Sequence, residues 1–210
     1  MLNRNNFAIA KLATADTSRY GASRYGLNSI RVEHDRTVVT DGRLLLVMTG
    51  DSVPESAYPI IPGFNPTTVL NPIINLSRET ALAIAKAIPK TKLPALNHAV
   101  IGTNSDGDAA IATTDLSSSQ TFKAIDGGGS FPNYGEVIPA KSEATAVISF
   151  DPRLMVALLQ SMDSVYENGG QHSVVMWIKD AVSPILIECK HEEQKATGIL
   201  MPVKLDTSEL

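Results

Sequence analysis

The stretch Thr40–Leu45 (TDGRLL) joins two runs that are typical of β-strands, and it is one of three motifs that decide the fold. The second motif is Phe131–Tyr134 (FPNY), which is followed by Val137–Pro139 (VIP). The third is Leu200–Leu205 (LMPVKL). The motifs lie far apart and mark the early, middle and late parts of the sequence. Their order and combination are therefore more informative than any one of them alone.

The composition is that of an ordinary soluble protein with an aliphatic core. The 210 residues are 43% hydrophobic and 5% aromatic, with one cysteine and a formal net charge of −4. This length allows one or two domains, and the single cysteine excludes an intrachain disulfide framework. No apolar run approaches the roughly 18 residues of a membrane span, and the N-terminus lacks a signal-peptide pattern. We therefore expect a cytoplasmic protein with no membrane partner.

Three stretches have the periodicity of amphipathic helices. In residues 77–88, Ser77 is placed to cap the helix and Pro89 to end it, and the apolar face consists of Ala81, Ile84, Ala85 and Ile88. A second helix is predicted from Asp151 and Pro152, with an apolar stripe made of Met155, Leu158, Leu159 and Met162. A weaker pattern covers residues 6–16, with Ile9, Leu12 and Ala13 facing inward.

Short β-type runs follow each helix and predict a repeated unit of one strand, one helix and three strands. The runs are residues 29–33, 37–40 and 44–48, then 99–103, 109–113 and 120–124, then 173–178, 184–189 and 198–203. Opening strands are predicted at residues 72–76 and 146–150, and the first unit is predicted to lack one. Asp106-Gly107 predicts a hairpin turn between two of the runs. The pattern gives an α+β fold with three structural repeats.

In this order the three motifs resemble those of the bacterial DNA polymerase III beta sliding clamp family. The resemblance implies a DNA-clamp fold, in which two such units form one domain around a pseudo-two-fold axis and a closed ring contains twelve units. Residues 1–139 resemble the middle domain of that family, a match that also includes Arg24–Asn28 (RYGLN). Residues 140–210 resemble only the second half of its last domain. The chain is therefore interpreted as one and a half clamp domains, a shortened form.

The shortened form predicts self-association. A lone half-domain exposes a sheet edge and half a core, which is costly unless another surface covers them. The simplest cover is the same half-domain of a second chain across a two-fold axis. Three units in each of four chains then complete a ring of twelve, so we predict a homotetramer, with another ring closure or an open dimer as the alternatives. The reduced length also favours a phage or another mobile element as the source.

The resemblance implies a sliding clamp, or processivity factor, that encircles double-stranded DNA without reading its sequence. It tethers a DNA polymerase or repair proteins and performs no chemistry, so we predict no enzyme activity, no catalytic residues, no cofactor and no metal. The mild negative charge is compatible with a ring, because the lining alone must be basic. The predicted DNA-contacting residues are Arg4, Lys11, Arg19, Arg24, Tyr25, Arg78, Lys86, Lys90, Lys92 and Arg153.

The resemblance also implies an apolar cleft for a short partner peptide. An apolar groove that contains methionine adapts well to varied hydrophobic anchors. Its residues are predicted to be Leu27, Thr40, Gly42, Leu45, Pro132, Val137, Met201, Pro202, Val203 and Leu205. Two departures predict an altered peptide preference. Arg43-Leu44 replaces a His-Arg pair that is common in the family, and Gly135-Glu136 replaces basic residues after the tyrosine.

One alternative belongs to another functional class, and a further one is an α+β protein of unrelated function, which would require the three motifs to coincide by chance. A clamp mimic or inhibitor would keep the fold and bind clamp partners or the host clamp without encircling DNA.

A metal site is weakly indicated, because Cys189 and His191 alone do not make a zinc site. Gly127–Gly129 lacks the lysine and hydroxyl residues of a phosphate-binding loop. His34 has no serine or cysteine partner that a motif would place beside it.

Overall fold

The computed structural model describes residues 1–15, 26–33, 35–51, 54–66, 74–124, 130–166 and 171–204. The chain divides into two units, Met1–Val137 and Ile138–Leu210, and each has its own hydrophobic core. The division falls two residues before the boundary that the sequence predicts.

The first unit repeats one order of elements twice. Its first half contains β1 (Leu2–Asn3), α1 (Arg4–Ala8), a 3-10 turn (Ile9–Leu12), β2 (Ser29–Val32), β3 (Arg36–Thr40) and β4 (Leu45–Thr49). Between the halves lies β5 (Phe64–Pro66). The second half contains β6 (Ile74–Ser77), α2 (Arg78–Ala87), β7 (His98–Asn104), β8 (Ala109–Thr114) and β9 (Ser119–Lys123). Further 3-10 turns are Glu55–Ala57, Pro94–Asn97 and Tyr134–Glu136.

The two halves of the first unit exchange their opening strands. One antiparallel sheet has the order β4-β3-β2-β6, so that the opening strand of the second half joins the strands of the first. The other sheet has the order β1-β7-β8-β9, with β5 also paired to β7, so that the first half contributes its own opening strand in return. This reciprocal exchange gives the pseudo-two-fold relation that the resemblance implies.

The larger of the two buried clusters in the first unit joins the two sheets to the helices. The helices α1 and α2 lie side by side and pack on both sheets. Local sequence determines α2, since Ser77 Oγ accepts a hydrogen bond from Thr80 N at 3.1 Å and the helix ends before Pro89. The predicted apolar face is confirmed, because its four residues are buried and belong to this core: Ala81, Ile84, Ala85 and Ile88.

The start of the chain differs from the prediction in two respects. The helix begins at Arg4, lasts five residues and continues as a 3-10 turn to Leu12. Asn3 and Asn6 cause the earlier start, because each side chain accepts a hydrogen bond from the backbone of the other in a capping box. The first half of the first unit was predicted to lack an opening strand, but it has one, the two-residue β1. The predicted helix end at Asp16 lies outside the described residues.

The second unit contains one helix and one sheet. These are α3 (Pro152–Asp163), capped by Asp151, and the antiparallel sheet of β10 (Val175–Trp177), β11 (Ile185–His191) and β12 (Gln194–Leu200). Two 3-10 turns occupy Lys141–Glu143 and Ser164–Tyr166. The core contains Met155 and Met162 of the predicted stripe, with Leu158 and Leu159 partly buried against it. The fold class is thus α+β with clamp-type units, as predicted.

Two strand predictions in this unit are wrong. Residues 146–150 form no strand, and Val203 N donates a hydrogen bond to Ser149 O in this segment, at 2.8 Å. The last strand covers residues 194–200 and not 198–203, because a tight turn at Glu192 and Glu193 fixes His191 opposite Gln194. Glu192 adopts a φ of +51°, a conformation that its residue type does not reveal.

In the described residues, no helix is long and apolar enough to cross a membrane.

Candidate nucleic-acid interface and partner-binding residues

The paired helices of the first unit present cations on the surface that faces away from the core. Lys86 is exposed in the last turn of α2, and Lys11 is exposed in the 3-10 turn after α1. Arg78 is half-buried at the start of α2, beside the exposed Glu79. A pair of helices whose outer surface carries mobile lysines can contact phosphates without reading bases.

Arg4 has a structural contact that the sequence did not indicate. Its guanidinium donates a hydrogen bond to the main-chain oxygen of Ile88, just beyond the end of α2. A cation at this place satisfies an otherwise open carbonyl and complements the negative end of the helix dipole. Arg4 therefore ties the two helices together. Lys90 and Lys92 are exposed in the segment that follows α2.

A cavity of about 680 Å³, whose lining residues are mostly of polar type, opens beside Arg4 and Lys90. At its wall His98 is buried, with Nδ1 2.7 Å from Pro94 O and Nε2 2.9 Å from Asp51 Oδ2. Hydrogen bonds from the Asn3 side chain and then from His98 hold the pKa of Asp51 below its ordinary value. These bonds connect the N-terminal strand to the segments after β4 and before β7, and they give the cavity a structural role.

The remaining predicted DNA contacts fall in two places. Arg153 lies in the second unit, where its side chain is 92% exposed at the start of α3, with Nε 3.6 Å from Asp151 Oδ1. Arg19, Arg24 and Tyr25 lie outside the described residues. In the described part of the first unit, six of the predicted cations lie on or next to the two helices: Arg4, Lys11, Arg78, Lys86, Lys90 and Lys92.

The TDGRLL motif forms the hairpin turn between β3 and β4. Asp41 Oδ1 accepts hydrogen bonds from Arg43 N at 2.8 Å and from Leu44 N at 2.9 Å, which lowers the pKa of Asp41 although partial burial opposes the shift. Thr40 Oγ1 donates to Leu44 O at 2.6 Å and accepts from Gly42 N at 3.1 Å. Gly42 has a φ of +88°, where glycine is favoured. The motif is therefore a rigid turn.

The FPNY motif is anchored to the first hairpin over a sequence distance of about one hundred residues. Tyr134 Oη donates to the Glu33 carboxylate, with oxygen distances of 3.1 and 3.0 Å. Arg31 pairs with Glu33 at 2.7 Å and places its guanidinium 5.9 Å from the Tyr134 ring centre. Desolvation and the neighbouring Glu33 carboxylate raise the pKa of Tyr134. Phe131 is buried, so this motif fixes the last segment of the first unit.

The predicted peptide-cleft residues differ in their exposure. In the first unit, Leu27 and Thr40 are buried, Leu45 and Pro132 are half-buried, and Val137 is exposed. Leu27 lies next to Gly42, because a Cβ atom built on Gly42 would be 3.7 Å from Leu27 Cδ1. In the second unit Met201 and Val203 are exposed and Pro202 is half-buried. Leu205 lies outside the described residues. Leu44, which was not predicted, is an exposed apolar side chain at the hairpin turn.

The described residues contain no group of three side chains that could hold a metal ion. Cys189 is buried, with Sγ 3.7 Å from Met162 O, and His191 is tilted against the Tyr166 ring. Cys189 therefore belongs to the second core, and the half-buried His191 packs against a tyrosine of that core.

Comparison with known proteins gives the fold. No family model and no curated protein matches the chain. A solved structure from Eubacterium rectale, assigned as a DNA polymerase III beta subunit, matches 96% of this chain with a TM-score of 0.60 at 10% identity. The Pseudomonas aeruginosa DNA polymerase sliding clamp matches 97% of the chain (TM-score 0.47, 15% identity). The Thermotoga maritima DNA polymerase III beta subunit matches 95% (TM-score 0.45, 12% identity).

The matches cover less of those proteins than of this chain. The chain spans 49% of the Eubacterium rectale structure, 66% of the Pseudomonas aeruginosa clamp and 52% of the Thermotoga maritima subunit. The similarity in sequence is low, whereas the similarity in structure to the first of them extends over almost all of this chain. This chain therefore has the fold of a DNA polymerase III beta subunit, in a length about half that of the first structure.

Proposed function

We propose that this protein is a DNA sliding clamp that encircles duplex DNA as a homotetrameric ring and tethers a polymerase or repair protein. The observation that carries the proposal is the pair of helices α1 and α2, which lie side by side in a clamp fold with exposed lysines on their outer surface. A helical lining of this kind offers charge to the phosphates and no base-reading groups.

The charge distribution supports loose contact with DNA. The whole chain carries a net charge of −4, so nonspecific coating of DNA is unfavourable. Four exposed lysines of the first unit lie on or next to its helices, namely Lys11, Lys86, Lys90 and Lys92, whereas the exposed Arg43 and Lys123 lie on its strands and turns. Binding should therefore weaken steeply with added salt and should be the same for different DNA sequences.

The ring follows from the number of units. Each chain is proposed to supply three strand-helix-strand repeats, which are the two halves of the first unit and the second unit as a whole. The resemblance implies twelve such repeats in a closed ring. Four chains meet that number, and two-fold axes in the plane of the ring would make its two faces equivalent. The partner peptide is proposed to bind through the predicted cleft residues, of which Val137 and Met201 are exposed apolar side chains in the first and second units.

Retention on DNA of different topology tests the clamp function. The protein is loaded on a nicked circular plasmid, and the same plasmid is then cut once with a restriction enzyme. We expect the protein to stay with the circle on a gel-filtration column and to be lost after the cut. Equal retention on both forms would remove the encircling ring and favour a clamp mimic that binds partners or the host clamp away from DNA.

The peptide site is tested separately by fluorescence anisotropy. The probe is a labelled short peptide that presents a leucine and a phenylalanine as apolar anchors. Met201→Ala should weaken binding of this probe about tenfold, as expected for loss of one large apolar anchor contact. Ile199→Ala is the matched control, since Ile199 is an equally exposed apolar residue on β12. Equal affinities of the two variants would exclude Met201 from the peptide site.

A further inference from the structure

We propose that the second unit completes itself with a second copy of this chain by a reciprocal exchange of strands. Residues 148–151 of one copy would pair with the free edge of β10 in the other copy, and the same contact would be made in the opposite direction. The inference deepens the proposed function, on which its role in a closed ring rests.

The first unit shows how such an edge is filled. The residue before each helix cap lies on a strand that pairs with the first strand after the helix of the other half. Leu76 precedes the cap Ser77 and lies opposite Ile30 on β2. Leu2 precedes the cap Asn3 and lies opposite Ala99 on β7. Each half therefore receives its fourth strand from its pseudo-symmetry mate.

A repeated hydrogen bond aligns the second unit with this arrangement. In the first half of the first unit, Asp51 N donates to Met1 O at 3.2 Å, two residues before the helix cap. In the second unit, Val203 N donates to Ser149 O at 2.8 Å, again two residues before the cap. Phe150 thus corresponds to Leu2, and residues 148–150 take the position of an opening strand.

The same alignment identifies the edge that is left open. Leu46, five residues before Asp51, pairs with Val39, which pairs with Ile30 on β2. In the second unit, Gly198, five residues before Val203, pairs with Ile187, which pairs with Met176 on β10. Met176 therefore corresponds to Ile30. By the register of the first unit, a completing strand would place Phe150 opposite Met176 and Ser149 opposite Trp177.

Burial at the corresponding positions differs sharply between the two units. Leu2, Leu76 and Ile30 are 0% exposed. Phe150 is 36% exposed and Met176 is 41% exposed. Exposed apolar residues also occur in the segment before α3, on α3 and along the edge strand and its end: Val147, Leu154, Val156, Val175, Trp177 and Ile178. An open strand edge flanked by apolar side chains is a template for pairing with another chain.

The opening segment of the same copy cannot fill this edge. It is hydrogen-bonded to Val203, beyond the end of β12, whereas β10 is on the opposite side of β11. Two strand spacings separate β10 from β12, which amounts to about 10 Å, and the segment lies farther still. A two-fold axis between two copies brings the segment of each copy to the open β10 edge of the other. One symmetric interface then pairs both edges, which is the self-complementary geometry of a symmetric dimer.

A disulfide between co-expressed chains tests this register. Ser149→Cys is made in one chain and Trp177→Cys in the other, because these residues are predicted to be opposite and away from the core side of the sheet. After mild oxidation of the purified protein with a copper–phenanthroline catalyst in air, we expect a covalent dimer of the two different chains on a nonreducing gel, and its loss on reduction. The native Cys189 is buried and is kept in every chain.

Three controls define the result. Each cysteine variant expressed alone should remain uncrosslinked. Ser149→Cys with Val182→Cys should give about tenfold less dimer, because disulfide geometry is strict and Val182 is exposed outside the proposed contact. Crosslinking that is absent, or equal with Val182→Cys, would overturn the strand exchange.

The same preparations separate this inference from the clamp function. Specific crosslinking without topology-dependent retention on DNA would support the exchange and reject the clamp. Retention on circular DNA without crosslinking would support the clamp and reject the exchange.

Discussion

Asn6 is expected to be a main polar support for α1, the helix that forms part of the proposed DNA-facing surface. Its side chain is 0% exposed, and its Nδ2 donates to Met48 O at 2.9 Å and to Thr49 O at 3.1 Å. Its Oδ1 accepts from Asn3 N at 2.9 Å. Thr37 Oγ1 donates to Asn6 O at 2.8 Å. Asn6 therefore joins α1 to β3 and to the end of β4.

The expected cost of Asn6→Ala follows from these contacts. Three side-chain hydrogen bonds are lost, and a typical buried bond contributes about 1 kcal/mol to the free energy of unfolding. Alanine returns about 0.5 kcal/mol through its higher helix propensity. The net destabilisation should be about 2 to 3 kcal/mol, a large fraction of the stability of a typical domain.

Urea unfolding followed by far-ultraviolet circular dichroism measures this cost. Asn5→Ala is the matched control, because Asn5 lies on the same helix and is exposed. It should unfold within about 0.5 kcal/mol of the unmodified protein, as is usual for surface substitutions. Asn6→Asp keeps the side-chain shape and removes the donors, so it should be at least as destabilised as Asn6→Ala. An Asn6→Ala variant as stable as Asn5→Ala would refute the proposed role of Asn6.

Three further predictions concern DNA binding, the hairpin turn and pH. Lys86→Ala should reduce the slope of log affinity against log salt by about 0.9, measured by anisotropy on duplex DNA, whereas Lys123→Ala on β9 should not change it. Gly42→Ala should cost about 1 to 2 kcal/mol in thermal unfolding because of its positive φ, whereas Gly135→Ala should be neutral. Asp51 has a lowered pKa, so its contribution to stability is present above pH 3.8 and lost as pH falls further. The stability difference between the unmodified protein and Asp51→Asn should therefore shrink in acid, and a difference independent of pH would contradict the Asp51 network.

Local signals explain why much of the fold was predictable from the sequence. The helix α2 has a serine cap, a 3.6-residue apolar period and a proline stop, all within 13 residues of sequence. The Asp106-Gly107 turn is confirmed, since Gly107 has a φ of +83° between β7 and β8. The clamp fold itself was predictable because three separated motifs occur together.

The errors arise where short or distant interactions determine the structure. The strand β1 has two residues, too few for any periodicity, and it forms only because β7 offers an edge. The start of β12 depends on a turn at Glu192, where no glycine marks the left-handed conformation. Residues 146–150 are a mostly apolar run that is typical of a strand, but their proposed pairing partner is in another chain.

The candidate site was predictable only in part for the same reason. The exposure of Lys11 and Lys86 follows from their helical positions. By contrast, the contact of Arg4 with Ile88 joins residues 84 positions apart, and the contact of Tyr134 with Glu33 joins residues 101 positions apart. Such contacts are set by the packing of whole elements, which local sequence patterns do not encode.

The absolute mass in solution tests the proposed ring most directly. Light scattering behind a sizing column gives this mass without assuming a shape. Four chains of 22.4 kDa predict about 90 kDa, held constant over a wide range of concentrations. A monomer, or a dimer that persists at high concentration, would contradict the tetrameric ring of twelve units.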